Sequence, residues 1–155
     1  MLVVTRVFNA PVELVWKTWT EPELVMRWWG PDHFTCPSAI IDFKVGATSI
    51  VCMRAPASFG GADSFCTWTY RQIVPHQSIE FIQNLSDKDG NKIDPKSIGM
   101  PADFPADIRV VVTFEDLGSN KTEMTVTQHA HYGQMSEFAK LGLEQSLNKA
   151  VAIFL

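Results

Sequence analysis

The chain has 155 residues, of which 46% are hydrophobic and 19% charged, and its formal net charge is −4. This composition is that of one packed globular domain, and it excludes an intrinsically disordered chain. Because lysine and arginine are scattered and no apolar run is long enough to cross a bilayer, we expect neither nucleic acid nor a membrane as a partner. The N-terminal residues lack the features of a secretion signal, so the expected location is the cytoplasm.

The spacing of apolar residues predicts a strand, two short helices, six further strands and a long helix, in that order. The first strand covers residues 2–8. The helices cover residues 11–19 and 21–28; Pro11 begins the first, and Gly30-Pro31 ends the second. A period of two then predicts antiparallel hairpins. Their strands cover residues 34–43, 48–54, 64–74, 78–83, 108–115 and 122–131.

Residues 86–107 are polar and contain three prolines, which predicts one long loop of the kind that often forms a lid over a site. Within it, Asp87-Lys88-Asp89-Gly90-Asn91 faintly resembles a calcium-binding loop. Its glycine comes too early and no glutamate closes it, so the pattern favours a hairpin turn.

The last predicted helix covers residues 134–155. Its polar stripe takes up about a third of the helical wheel. The stripe consists of Glu137, Lys140, Glu144 and Asn148. Lys140 and Glu144 have the spacing of an ion pair. So wide an apolar face favours a helix held in a concave sheet, and Gly142 on that face should pack too closely to accept a larger side chain.

Together these elements predict one α+β domain over residues 1–155, in which a curved antiparallel sheet wraps the C-terminal helix. Five tryptophans and ten phenylalanines must fill a core or line a cavity, because so small a domain has little room for large rings outside. We therefore expect a buried pocket for a small apolar molecule between the sheet and the helix.

The candidate pocket residues come from both layers of this predicted fold. Trp28 and Trp29 precede the Gly-Pro stop, where one indole could close the pocket or both could anchor the short helices. Adjacent helical residues point about 100° apart, so at most one of them is expected to face the cavity. The remaining candidates for the wall are Met53, Trp68, Phe81, Val112, Phe138, Leu141 and Gln145. Alternation alone does not decide which strand face looks inward, and ordinary core packing is the alternative for each.

Other reactive residues form no recognisable site. His129 and His131 lie two apart on a predicted strand, as a metal pair would, although an exposed strand edge is the simpler interpretation. Asp42 and Arg71 could pair, either beside a ligand or as a structural ion pair. Three cysteines without a C-x-x-C spacing are expected to be reduced and buried, a catalytic thiol being the alternative. We therefore predict no metal, no cofactor and no catalytic residue.

Several motifs occur in a fixed order along nearly the whole chain. They are Arg6-x-Phe8-x-Ala10-Pro11, Val15-Trp16-x-x-Trp19-Thr20-x-Pro22, Arg27-Trp28-Trp29-Gly30-Pro31, Asp42-Phe43-Lys44-Val45-Gly46, Tyr70-Arg71-Gln72-Ile73-Val74-Pro75, Thr113-Phe114-Glu115-Asp116, Lys121-Thr122 and Ser146-Leu147. In this order they resemble the activator of heat-shock protein 90 ATPase homologues, which belong to the START and birch-pollen-allergen (SRPBCC) superfamily. Two positions depart from the pattern: Ala47 replaces a usual glycine, and Leu143 replaces a usual aromatic residue.

The resemblance implies a helix-grip fold, with a seven-stranded antiparallel sheet around a long C-terminal helix and an apolar cavity between them. The implied function is a binding module for a small hydrophobic ligand, which would be its main partner. A cavity enzyme of the cyclase or hydrolase type is one alternative. The other is a co-chaperone, which is less expected because the separate N-terminal domain of chaperone activators has no counterpart in this sequence. A second copy of the chain, in a homodimer, is the remaining candidate partner.

Overall fold

A computed structural model describes every residue from Met1 to Leu155. Seven strands form one antiparallel sheet, and three helices pack with it. The strands are β1 (Leu2–Phe8), β2 (Ala39–Ile40), β3 (Thr48–Arg54), β4 (Asp63–Val74), β5 (Ser78–Ser86), β6 (Ile108–Gly118) and β7 (Lys121–His129). The helices are α1 (Val12–Thr20), α2 (Pro22–Trp28) and α3 (Ser136–Ala152). The predicted α+β architecture is confirmed.

The strand order across the sheet is β1-β7-β6-β5-β4-β3-β2, and every neighbouring pair is antiparallel. Each strand from β2 to β6 pairs with the next one along the chain, whereas β1 pairs with β7. This places the N-terminal strand beside the last one, so that the chain leaving β7 can return across the inner face as α3. In β7 every second side chain is buried, as expected for a strand with one face towards the core.

Tryptophans from the two short helices fill the closed end of the sheet. In α1, Trp16 and Trp19 are buried at helical spacing, and Nε1 of Trp19 donates to the sulfur of Met124 on β7 at 3.1 Å. In α2, Trp28 is fully buried and its Nε1 donates to the carbonyl of Thr18 at 2.7 Å. The indoles of Trp19 and Trp28 therefore bury a large apolar surface while their polar N–H groups keep a partner, which fixes α1 and α2 against the sheet.

The inner face of α3 is anchored by Leu143, Leu147 and Ala150, all of which are buried. The predicted ion pair between Lys140 and Glu144 does not form. Instead, Oε2 of Glu144 lies 3.9 Å from Nη2 of Arg6 on β1. Nε of Arg6 also donates to Oδ1 of Asn148 at 2.8 Å. A cation from the neighbouring strand thus replaces the local partner that helical spacing suggested.

Two predicted segments differ in the structure. Residues 34–43 contribute only the two-residue strand β2 and a bridge from Thr35 to Arg54, because Pro37 cannot donate to a ladder. Residues 86–107 are more structured than one long loop: β5 runs on to Ser86, a tight turn follows, and a short 3-10 helix covers Pro95–Ile98.

That tight turn is built on Asp87. Its Oδ1 accepts the backbone N–H groups of Asp89 and Asn91, both at 2.9 Å, as in a hairpin turn closed by an aspartate. Gly90 has a φ of +86°, and a Cβ there would lie 3.0 Å from a methyl group of Ile50 on the outer face of the sheet. Glycine at position 90 therefore allows the turn to pack closely against the sheet. None of the helices in the protein combines the length and apolar character needed to span a membrane.

Candidate functional site

A cavity of about 250 Å³ lies where α3 crosses the open end of the sheet. Its floor is formed by inward-facing residues of three strands: Gln83 on β5, Ile108 opposite it on β6, and Gln128 on β7, which pairs with Val110. The first half of α3 covers this floor. The helix residues that line the cavity are Phe138, Ala139, Gly142, Leu143 and Ser146.

The segment after α2 forms the rim of the cavity. Trp29, Gly30 and Pro31 all line it, next to Met53 of β3. Gly30 has a φ of +105°, and a Cβ there would lie 3.2 Å from Cβ of Phe34 and 3.4 Å from Cγ of Met53. The glycine allows the chain to turn at the rim with both neighbours in close contact. Phe104 and Tyr132 complete the opposite wall, with ring centroids 5.5 Å apart.

The cavity occupies only one end of the sheet because a cluster of aromatic rings fills the other. Trp19 lies 4.7 Å from Trp28, 5.5 Å from Trp68 and 6.0 Å from Phe81, measured between ring centroids. Trp68, Phe81 and Trp28 are at most 1% exposed. Packing of this density leaves no room for a ligand among these rings.

Four polar side chains lie among the apolar walls. The hydroxyl of Tyr132 donates to Oε1 of Gln128 at 2.5 Å, and both side chains are buried. Burial raises the pKa of the Tyr132 hydroxyl, so it stays a neutral donor. Gln83 adds a second carboxamide at the floor, whereas the hydroxyl of Ser146 is taken up by the carbonyl of Gly142 at 2.8 Å. All fifteen residues that line the cavity are uncharged.

A smaller cavity of about 110 Å³ adjoins the first and shares Trp29, Met53 and Gln83 with it. Cys66 lines this second space, and burial raises the pKa of its thiol to about 12, which keeps it protonated and unreactive. Nε1 of the neighbouring Trp68 is buried without a hydrogen-bond acceptor. The two cavities are neighbours, with the side chains of Trp29, Met53 and Gln83 between them.

The structure divides the nine sequence-predicted pocket residues into three groups. Those that line the cavity are Trp29, Met53 and Phe138. Those that are buried in the core beneath it are Trp28, Trp68, Phe81 and Val112. The other two lie on α3 outside the cavity. Leu141 is 51% exposed, and the side chain of Gln145 accepts the backbone N–H of Asp32 at 3.1 Å.

Sequence reasoning did not select Gln83, Phe104, Ile108, Gln128 or Tyr132, which also line the cavity. A signal was present for the two glutamines. Each follows apolar residues on the inward face of its strand, after Phe81 in β5 and after Val126 in β7. A polar residue that continues a buried alternation is a candidate for a site. No comparable pattern marks Phe104, which comes from the irregular segment after the 3-10 helix.

The other reactive residues do not converge. No three histidine, cysteine or acidic side chains are grouped closely enough to hold a metal ion. His129 and His131 are both exposed, as predicted, but the predicted strand edge is wrong, because β7 pairs on both sides and ends at His129. Asp42 and Arg71 form no ion pair; the backbone N–H of Asp42 donates to the hydroxyl of Ser49 at 3.0 Å. All three cysteines are free and buried.

Comparison with known proteins places this arrangement in context. The family described as Activator of Hsp90 ATPase homolog 1-like protein matches residues 9–154. A solution structure from Arthrobacter aurescens has a TM-score of 0.78 and 23% identity, covering 98% of this chain and 84% of that one. A crystal structure from Chromobacterium violaceum has a TM-score of 0.78 and 22% identity, covering 99% of this chain and 95% of that one.

A third structure, the AHSA1 protein of Silicibacter pomeroyi, has a TM-score of 0.75 and 19% identity, covering 97% of this chain and 94% of that one. No curated protein matches the chain. At these identities the likeness to solved structures shows the fold, and the predicted helix-grip arrangement is confirmed by it.

Proposed function

The chain belongs to the activator of Hsp90 ATPase homolog 1-like family, and on that premise we propose that it binds a small hydrophobic molecule in the cavity between the sheet and α3. Proteins of this fold family generally bind hydrophobic ligands. The observation that carries the proposal is the cavity of about 250 Å³, nine of whose fifteen lining residues are hydrophobic.

The physical basis is the transfer of apolar surface out of water. Each square ångström of ligand surface buried against these walls stabilises the complex by about 25 cal/mol, before the cost of immobilising the ligand. Phe138 is 70% exposed at the mouth of the cavity. A ligand that reaches the mouth would cover this ring, which gives the exposed phenylalanine a role.

A cavity enzyme of the cyclase or hydrolase type fits the site less well. General acid–base catalysis requires a titratable group within reach of the bound molecule. None of the lining residues is acidic, basic or a histidine, and Tyr132 is held neutral by burial. The cavity has no bearing on a chaperone partner, which would require a surface contact. Our proposal includes a reducing compartment such as the cytoplasm, where the three free thiols would persist.

The experiment is native mass spectrometry of the purified protein, followed by extraction and identification of any bound molecule. We expect wild type to carry or accept an apolar molecule, and Gly142→Leu, which places a side chain in the cavity, to have lost it. Ala152→Leu, at an exposed position on the same helix, is the matched control. A ligand retained equally by Gly142→Leu would place binding elsewhere. Failure of wild type to bind any added apolar probe would refute the proposal.

A further inference from the structure

The floor of the cavity carries a hydrogen-bonding group that the protein itself leaves partly unused. Gln128 is only 8% exposed, and its inward position continues the buried alternation of β7. Buried polar groups in folded proteins nearly always have partners. Only the Oε1 atom of Gln128 has a side-chain partner, the hydroxyl of Tyr132.

Tyr132 determines which end of this carboxamide is free. Because the hydroxyl donates to Oε1, the amino group of Gln128 remains as the donor on the cavity side. The edge of the Tyr132 ring packs against Phe104, with the ring planes at 63°, which holds the hydroxyl in place. Tyr132 is therefore a positioning residue, and Gln128 is the group that would touch the ligand.

The charge of the ligand follows from the lining of the cavity. An ionised carboxylate or ammonium group buried there would have no counterion, because every lining residue is uncharged. Lys149 on α3 is already engaged: its Nζ donates to the backbone carbonyls of Pro31 at 3.3 Å and Phe34 at 3.2 Å. A neutral molecule is the one that these walls accept.

We propose that the ligand is an uncharged apolar molecule with a carbonyl-type hydrogen-bond acceptor, which receives the amide N–H of Gln128 at the floor of the cavity. This inference rests on the proposed function of the cavity and specifies the chemical class of its ligand. Gln83, at the boundary with the smaller cavity, is the second polar contact available to a ligand that extends in that direction.

The test uses three probes of matched shape: acetylnaphthalene, ethylnaphthalene and naphthoate. Their Kd values are measured by calorimetry for wild type, Gln128→Leu and Tyr132→Phe. We expect the ratio of the ethylnaphthalene Kd to the acetylnaphthalene Kd to be about five- to tenfold higher in wild type than in Gln128→Leu, the effect of one hydrogen bond. Tyr132→Phe should lower the same ratio by a smaller factor, and naphthoate should bind most weakly.

Tyr70→Phe is the matched control, since it removes a buried hydroxyl that pairs with Ser49 away from the cavity. It should leave all the Kd ratios unchanged. Equal ratios in wild type and both cavity variants would overturn the acceptor inference while leaving apolar binding intact. Tightest binding of naphthoate would overturn the neutral class. If none of the three probes binds wild type, the proposed function fails as well. Should Gln128→Leu not fold, Tyr132→Phe still decides the question.

Discussion

Trp28 and Trp29 are neighbours in the chain, with ring centroids 5.7 Å apart and ring planes at 76°, and they lie on opposite sides of the boundary between core and cavity. Trp28 is fully buried, and its N–H is paired with Thr18. Trp29 lines both cavities and packs edge-on against Trp68 at 5.2 Å. The side chains diverge because α2 ends at Trp28, and Trp29 has an extended backbone with φ −64° and ψ 129°.

Substitution by phenylalanine should separate the roles of these two tryptophans. Trp28→Phe removes the hydrogen bond to Thr18 and opens space in the core, so we expect the free energy of unfolding to fall by about 2–4 kcal/mol. Trp29→Phe should cost less than about 1.5 kcal/mol and should change the Kd of an apolar probe instead. Urea unfolding and probe titration of both variants measure this difference. Equal stability losses would show that Trp29 is also a core residue.

Gly142→Leu should be tolerated by the fold, contrary to the overpacking expected from the sequence. A Cβ at Gly142 would meet only Cβ of Pro31, at 3.9 Å, and the rest of the side chain would enter the cavity. Replacing a helical glycine also favours folding by about 1 kcal/mol. We therefore expect an unchanged or raised Tm together with loss of apolar ligand binding.

The matched control for this substitution is Ala150→Leu, two turns further along α3. Ala150 is 1% exposed and packs in the core. A leucine at position 150 should lower the free energy of unfolding by about 1–3 kcal/mol, because it overpacks the core. If Gly142→Leu is destabilised as strongly as Ala150→Leu, the space beside Gly142 is not an open cavity.

The comparison of Phe81 with Gln83 shows what the sequence could and could not predict about the site. Both face inward on β5, and strand alternation is enough to place them on one face. Their depth along the strand decides their role, since Phe81 meets the tryptophan cluster and Gln83 meets the cavity. The depth of each residue depends on how much of the sheet α1, α2 and α3 cover. That coverage is a matter of tertiary packing, which strand alternation does not predict.

Helix α3 shows the same limit of prediction from the sequence. Its predicted apolar face is correct for Leu143 and Leu147, which are buried, because the sheet lies beneath them. Phe138 was predicted on this apolar side, but at about 100° per residue it lies opposite Leu147 on the wheel, and it is exposed at the mouth of the cavity. The successive antiparallel hairpins were predictable because each one is local, whereas the pairing of β1 with β7 joins distant parts of the chain and was not predicted. The position of the cavity was not predictable, because it depends on how much of the inner face is filled by aromatic rings that are distant in sequence.

Stability should fall as the pH rises above about 9, because burial raises the pKa of Cys36 to about 11 and the pKa values of Tyr70 and Cys66 to about 12. At a pH below the ordinary pKa values of these side chains, the folded and unfolded chains bind the same number of protons. At higher pH the unfolded chain loses them first, which favours unfolding. Lys149, whose pKa is lowered by burial, has the opposite sign, because its penalty for folding is relieved as the pH rises.

Burial also raises the pKa values of Cys52 and Tyr132. Together the raised groups outweigh the single lysine, so we expect the free energy of unfolding, measured in urea, to fall between about pH 8 and pH 11. Tyr70→Phe should reduce that loss by about 1 kcal/mol, because the Tyr70 hydroxyl can then no longer ionise in the unfolded chain. A free energy of unfolding that is constant or rises over this range would contradict the assigned burial of these groups.

Phe104 should control how fast a ligand leaves. The segment around it is part of the packed structure: Pro95 is buried, and the side chain of Asn84 donates to the backbone carbonyl of Ala106 at 2.8 Å. Deleting residues 86–107 would therefore remove stability together with any lid, and a point variant is the cleaner test. Phe104 is half-buried, lines the cavity and contacts Tyr132.

Phe104→Ala should raise the dissociation rate of an apolar probe about tenfold, which corresponds to about 1.4 kcal/mol. The free energy of unfolding should fall by less than the roughly 3–5 kcal/mol that replacing a fully buried phenylalanine by alanine costs. Stopped-flow displacement measures the rate, and Phe59→Ala, at a 73% exposed position away from the cavity, is the control. An unchanged dissociation rate together with a full core-sized loss of stability would make Phe104 a core residue. In that case the ligand would exit past Phe138, and the same displacement experiment on Phe138→Ala would show the faster rate.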